Sequence, residues 1–139
     1  MMQLEHLNLV VNDMQQTLAF YQAAFPHWQV RGEGKQTWYG VERHWLHFGD
    51  DDQYLTFNDQ GYGENRPLEG NQVGMAHFAY ITADLDGLIT RMLNAGFQIH
   101  HEGTQSRHRR NVYFRDPNNF EVEFVEYSSD LPEERNRYE

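Results

Sequence analysis

Eight histidines and no cysteine make imidazole the natural metal donor of this chain. Two histidines open segments that read as strands: His6 in Leu4-Glu5-His6-Leu7-Asn8-Leu9-Val10-Val11, and His77 in Met75-Ala76-His77-Phe78. In the first, Leu7, Leu9 and Val11 alternate with His6, Asn8 and Val10, so the imidazole and the apolar side chains lie on opposite faces. In the second, Phe78 and Tyr80 take the apolar role. A third segment, Phe120-Glu121-Val122-Glu123-Phe124-Val125, sends Val122 and Phe124 to a core and both glutamates to the other face. Two neutral imidazoles and one carboxylate form a facial triad, which holds a divalent ion and leaves positions open for water, substrate or dioxygen. His6, His77 and Glu123 are the predicted metal ligands. Glu121 shares their face, but one carboxylate suffices, so its expected role is to pair with an arginine or solvate a rim.

A lone strand histidine is usually structural. An internal repeat reverses that prior. The order strand, helix, then three strands occurs twice. Asn12-Asp13 offers an N-cap before Met14, Leu18, Tyr21 and Phe25, which recur at helical spacing until Pro26. Short strands fit 28–30, 37–41, 45–48 and 54–58. After a polar, Gly-rich connection, 75–81 reads as a strand and Asp84 as a helix start. Leu85, Leu88, Ile89, Met92 and Leu93 form an apolar stripe that Gly96 stops. Strands at 98–101, 111–114 and 120–127 complete the second copy. At a constant offset of 71 positions His6 falls on His77, Asp13 on Asp84 and Ala24 on Ala95. Nearer the ends the offset is about 67, so that Asp50 meets Asp116 and Thr56 meets Glu123. The expected class is α+β, built from two βαβββ modules. One domain spans 1–127, with module one at 3–58, a linker at 59–72 and module two at 73–127. Residues 128–139 form a polar tail.

Composition narrows the function. The chain has 139 residues, with 11 Lys and Arg against 21 Asp and Glu and a formal charge of −10. An acidic surface opposes phosphate binding, so neither nucleic acid nor an anionic membrane is an expected partner. Without cysteine there are no disulfides, zinc thiolate sites or cysteine nucleophiles. No apolar run approaches a membrane span and residues 1–11 do not read as a signal peptide, so the expectation is a cytoplasmic protein.

Three segments together resemble the vicinal oxygen chelate superfamily, also called the glyoxalase/bleomycin-resistance/dioxygenase family. They are Glu5-His6-Leu7-Asn8-Leu9-Val10-Val11 with Asp13 and Phe20-Tyr21, Met75-Ala76-His77-Phe78, and Tyr113-Phe114-Arg115-Asp116-Pro117-Asn118-Asn119-Phe120-Glu121-Val122-Glu123. The resemblance covers residues 3 to 127 and implies that the two modules form a curved, incomplete barrel around a metal held by His6, His77 and Glu123, a donor set suited to Fe2+, Mn2+, Zn2+ or Ni2+. The family's fourth ligand position, acidic in glyoxalase I-like members, is Thr56 here. That favours the open triad of extradiol dioxygenases and fosfomycin-resistance transferases over four-ligand coordination, and the run from Tyr113 to Glu123 leans toward the dioxygenases. The resemblance also makes Tyr113 an acid/base or hydrogen-bonding group beside substrate. His108 or His101 is the candidate acid/base imidazole, with His108 assigned, although neither sits at the family's spacing. Single-domain members of the family usually dimerise, so a homodimer is expected.

In the cluster Arg107-His108-Arg109-Arg110, Arg109 is assigned to hold an anionic substrate through its planar fork. Asn8 and Thr56 are assigned to the substrate-facing surface. His44 and His47 flank Trp45, and one of them can line the pocket. The favoured function is a metal-dependent, dioxygenase-like enzyme acting on a small oxygen-rich substrate. The alternatives are a metal-free antibiotic-binding protein of the bleomycin-resistance type, and a lyase or thiol transferase of the glyoxalase or fosfomycin-resistance type.

Overall fold

The computed structural model describes residues 1–138, which divide into two compact units, Met1–Glu64 and a second from Asn65 onward. The division falls inside the 59–72 connection.

In the first unit, β1 (His6–Val10) leads to α1 (Met14–Ala24), followed by β2 (Gln29–Trp38), β3 (Val41–Gly49) and β4 (Tyr54–Asn58). Asp13 is the N-cap, its carboxylate accepting from the Gln16 N–H at 2.9 Å. The buried stripe of α1 is Thr17, Phe20, Tyr21 and Ala24, rotated by one position from the stripe expected at Met14, Leu18, Tyr21 and Phe25. Thr17 can be buried because its hydroxyl donates to the Asp13 carbonyl at 2.7 Å. Tyr21 packs on Phe20 and on Phe57 of β4, with centroids 4.8 and 5.2 Å apart. All three rings are fully buried, and each contributes on the order of 1.5–3 kcal/mol by area.

The strand expected at 37–41 does not exist as such. β2 runs unbroken to Trp38, and Tyr39 and Gly40, with φ of 51° and 79°, turn the chain directly into β3. Two successive positive φ values match the twist of a tight hairpin, and glycine makes the second inexpensive. Gly34 accommodates Trp45 across this hairpin, since a Cβ there would lie 2.9 Å from the indole ring.

The second unit repeats the plan with β5 (Phe78–Ile81), α2 (Leu85–Asn94), β6 (Ile99–Glu102), β7 (Arg109–Arg115) and β8 (Glu121–Tyr127). Asp84 caps α2 through the Gly87 N–H at 3.0 Å, and Gly96 ends it at φ 92°. Leu85, Leu88 and Met92 are buried, whereas Leu93 is exposed. The tail carries one short helix, α3 (Pro132–Arg135).

The sheet orders are β1-β4-β3-β2 and β5-β8-β7-β6. In each, the first strand lies parallel to the last and the other pairs are antiparallel. The architecture is α+β, two four-stranded mixed sheets, neither closed into a barrel. Among the described residues no helix is long and apolar enough to cross a membrane.

Candidate metal centre

Strand register shows which residues correspond between the units. Asn8 stands opposite Thr56 across β1 and β4, and Ala79 opposite Glu123 across β5 and β8. Thr56 then faces His47 on β3, while Glu123 faces Tyr113 on β7. Thr56 and Glu123 are thus equivalent in register, as are His47 and Tyr113. The first unit has a hydroxyl and an imidazole where the second has a carboxylate and a phenol.

A tight turn sets the register of the second unit. Asp116, 4% exposed, accepts from the N–H groups of Asn118 at 2.8 Å and Phe120 at 3.0 Å. Asn119 takes a φ of 65°, which Asn tolerates better than most residues. The turn returns the chain so that Glu121 faces Arg115 and Glu123 faces Tyr113.

Glu123 is 4% exposed and all of its bonding is polar. Oε1 lies 3.2 Å from His77 Nε2. Oε2 accepts from Asn111 Nδ2 at 2.7 Å and Arg109 Nη2 at 2.8 Å. Two donors about 2.1 Å from one ion and at right angles are about 3.0 Å apart, so the His77–Glu123 pair fits adjacent metal ligands. Asn111 and Arg109 hold the carboxylate from its other oxygen. Burial weakens the charge of Arg109, but Tyr127 and Glu123 more than offset this and raise its pKa. Asn111 is seated by Gly103, where a Cβ would come within 1.9 Å of its Oδ1.

Tyr113 packs edge-on against His77 with centroids 5.3 Å apart, and His101 stacks on it at 4.0 Å. Burial, then the Glu123 charge, raises the phenol pKa, so Tyr113 stays protonated and can donate. His77 lies one residue before β5. In the first unit His6 stacks on Tyr54 at 4.7 Å, and its Nδ1 is 2.9 Å from Glu5 Oε1. Tyr54 also stacks on His47 at 4.5 Å, and burial, then the charges of His6 and Arg31, lower the His47 pKa.

The chain's match to known proteins follows this geometry. The family model for the Glyoxalase/Bleomycin resistance protein/Dioxygenase superfamily matches residues 3–124. The chain belongs to this superfamily. A glyoxylase/bleomycin resistance protein/dioxygenase domain from Frankia sp. superposes with a TM-score of 0.75 at 16% identity, covering 99% of each chain. A glyoxalase family protein from Enterococcus faecalis gives 0.72 at 17% identity, covering 88% of this chain and 96% of its own. A variant of the fosfomycin resistance protein FosX from Listeria monocytogenes, complexed with Mn(II) and 1S,2S-dihydroxypropylphosphonic acid, gives 0.71 at 19% identity, covering 99% of each chain. At these identities the neighbours show the superfamily fold. No curated protein sequence matches significantly.

Other assigned residues are engaged elsewhere. His108 pairs through Nε2 with Glu134 Oε2 at 3.0 Å and faces Ser128 Oγ at 3.4 Å. Arg109, assigned to a substrate anion, is the partner of Glu123. Asn8 accepts from Asn58 Nδ2, and His44 Nε2 pairs with Glu33 at 3.0 Å. Glu121 pairs with imidazoles rather than an arginine, its nearest being His100 Nδ1 at 2.9 Å. Asn111 was not legible as a functional residue. Its position two residues before Tyr113 on the same strand face is the signal that bears on it.

Proposed function

We propose that the chain is a metal-dependent enzyme acting on a small oxygen-rich substrate, with His77, Glu123 and His6 as protein ligands. His6 is contributed by this chain or by a second copy in a homodimer. The observation that carries the reading is the His77–Glu123 pair, 3.2 Å apart, with the second carboxylate oxygen held by Asn111 and Arg109. A divalent ion bound there supplies Lewis-acid polarisation of substrate oxygens and charge stabilisation. The protein's own contribution is positional. Arg109 and Asn111 fix the carboxylate, His101 braces the Tyr113 ring by stacking, and the protonated Tyr113 hydroxyl donates to a developing oxyanion.

Thr56 at the register position of Glu123 favours three protein ligands over four, a pattern common to extradiol dioxygenases and fosfomycin-resistance transferases, and the run from Tyr113 to Glu123 favours the dioxygenase type of the two. The test couples metal analysis to a substrate panel. Protein purified without added metal should contain a stoichiometric divalent ion, lost in His77→Ala and Glu123→Gln with the fold retained. Metal-loaded enzyme should open catechols under dioxygen. Turnover of fosfomycin or of methylglyoxal–thiol adducts instead would overturn the dioxygenase assignment, and a metal-free protein would overturn the enzyme reading. Sedimentation velocity reads the dimer, and the soluble fraction of fractionated cells reads the cytoplasmic assignment.

A further inference from the structure

Two adjacent residues of a strand ordinarily point to opposite faces. His100 and His101 do not behave so, because the β6–β7 register shifts between Ile99, opposite Phe114, and His101, opposite Tyr113. His100 is the extra residue of a bulge, and a bulge re-aims a side chain. Both imidazoles consequently reach Glu121, whose Oε2 lies 2.9 Å from His100 Nδ1 and 3.8 Å from His101 Nε2. The donor atoms of these three side chains lie within 4.8 Å of one another. The Glu121 side chain is only 11% exposed, and no arginine or lysine pairs with it among the described residues.

The first unit carries the same bulge at the same register. There β2 shifts between Val30, opposite Phe48, and Gly32, opposite His47. Arg31 is the extra residue and lies 4.4 Å over the ring of Tyr54, which faces Gly49 as Glu121 faces Arg115. The backbone device is shared. Only in the second unit does it carry two imidazoles facing a carboxylate.

We propose that His100, His101 and Glu121 form a second divalent metal site beside the His77–Glu123 pair, with the other Glu121 oxygen, Oε1, 3.8 Å from His77 Nδ1. Two imidazoles and a carboxylate are a donor set suited to Zn2+, Fe2+, Mn2+ or Ni2+. Donors on one ion lie about 3.0 Å apart at right angles and about 3.4 Å apart in a tetrahedron, so His100 and Glu121, 2.9 Å apart, already fit, and His101 must draw in from 3.8 Å to close the set. Arg115 supplies the counterpart in the metal-free form. Its guanidinium touches His100 Nε2, while His100 Nδ1 faces Glu121 Oε2 at 2.9 Å. With a metal on Nδ1 a neutral imidazole carries its proton on Nε2, so Arg115 would turn to Glu69, whose Oε1 is already 3.2 Å away.

The test is titration of metal-stripped full-length protein with Co(II), read by calorimetry and visible absorption, with circular dichroism to check folding. The wild type should take up two equivalents. His101→Asn and the His100→Asn/His101→Asn pair should each weaken one equivalent at least tenfold and keep the other, while Glu123→Gln should do the reverse. If only one equivalent binds, its loss in His101→Asn but not in Glu123→Gln sustains this site and removes the one proposed above. Its loss in Glu123→Gln alone, or in both variants, overturns the second site, as does unchanged binding in His101→Asn.

Discussion

Gly103 and Asn111 offer a test of how the carboxylate of Glu123 is held. A Cβ added at Gly103 would lie 1.9 Å from Asn111 Oδ1 and 2.3 Å from its Nδ2, so the amide must move. The backbones cannot separate easily, because the Gly103 N–H donates to the Asn111 carbonyl at 2.9 Å. The amide that moves is the one donating to Glu123 Oε2 at 2.7 Å. A hydrogen bond to a charged group contributes about 1.5–3 kcal/mol, and loss of an outer partner of a metal ligand weakens metal affinity about 10–100-fold. Gly103→Ala should therefore lower stability by about 1–3 kcal/mol in urea titration and metal affinity by about tenfold or more in calorimetry. In an Asn111→Ala background the obstructing amide is gone, and Gly103→Ala should cost little. The double-mutant cycle should show a coupling of at least about 1 kcal/mol. Equal effects of Gly103→Ala in both backgrounds would refute the reasoning.

Further outcomes follow from the same contacts. Asp116→Ala removes a buried acceptor from two backbone N–H groups and should cost about 1–3 kcal/mol, read as a lower urea midpoint. Tyr113→Phe should retain the metal but reduce kcat by about 100-fold or more, the usual scale for a positioned acid/base group; an unchanged kcat would remove that role. Asp50 accepts from the backbone of Gln53 and Asp52, which holds its pKa below the ordinary 3.8. A depressed carboxyl pKa stabilises the fold above the ordinary value and less as pH falls through the folded one. The stability gap between wild type and Asp50→Ala should thus narrow below about pH 3.8, as read by urea titration across pH.

Much of the fold is legible because its signals are local. Asp13 and Asp84 announce helix starts, Gly96 a stop, and the alternation of β1 and β8 separates core from site residues. The pairing of Thr56 with Glu123 at an offset of about 67 reappears as equivalent register positions. What escapes is set by pairing between strands. Tyr39-Gly40 is a turn rather than strand because two positive φ values are needed there, and Tyr39 gives little sign of that. The His100 bulge shifts register by one residue, which simple alternation cannot express. Asn111 gains its role only once β7 and β8 pair and bring it to Glu123.

The most direct measurement is anomalous diffraction from crystals of the protein loaded with Mn(II) or Zn(II). The account predicts a peak about 2.0–2.2 Å from both His77 Nε2 and Glu123 Oε1, with Arg109 and Asn111 still on Oε2. A fully loaded crystal with no peak at that pair would contradict it.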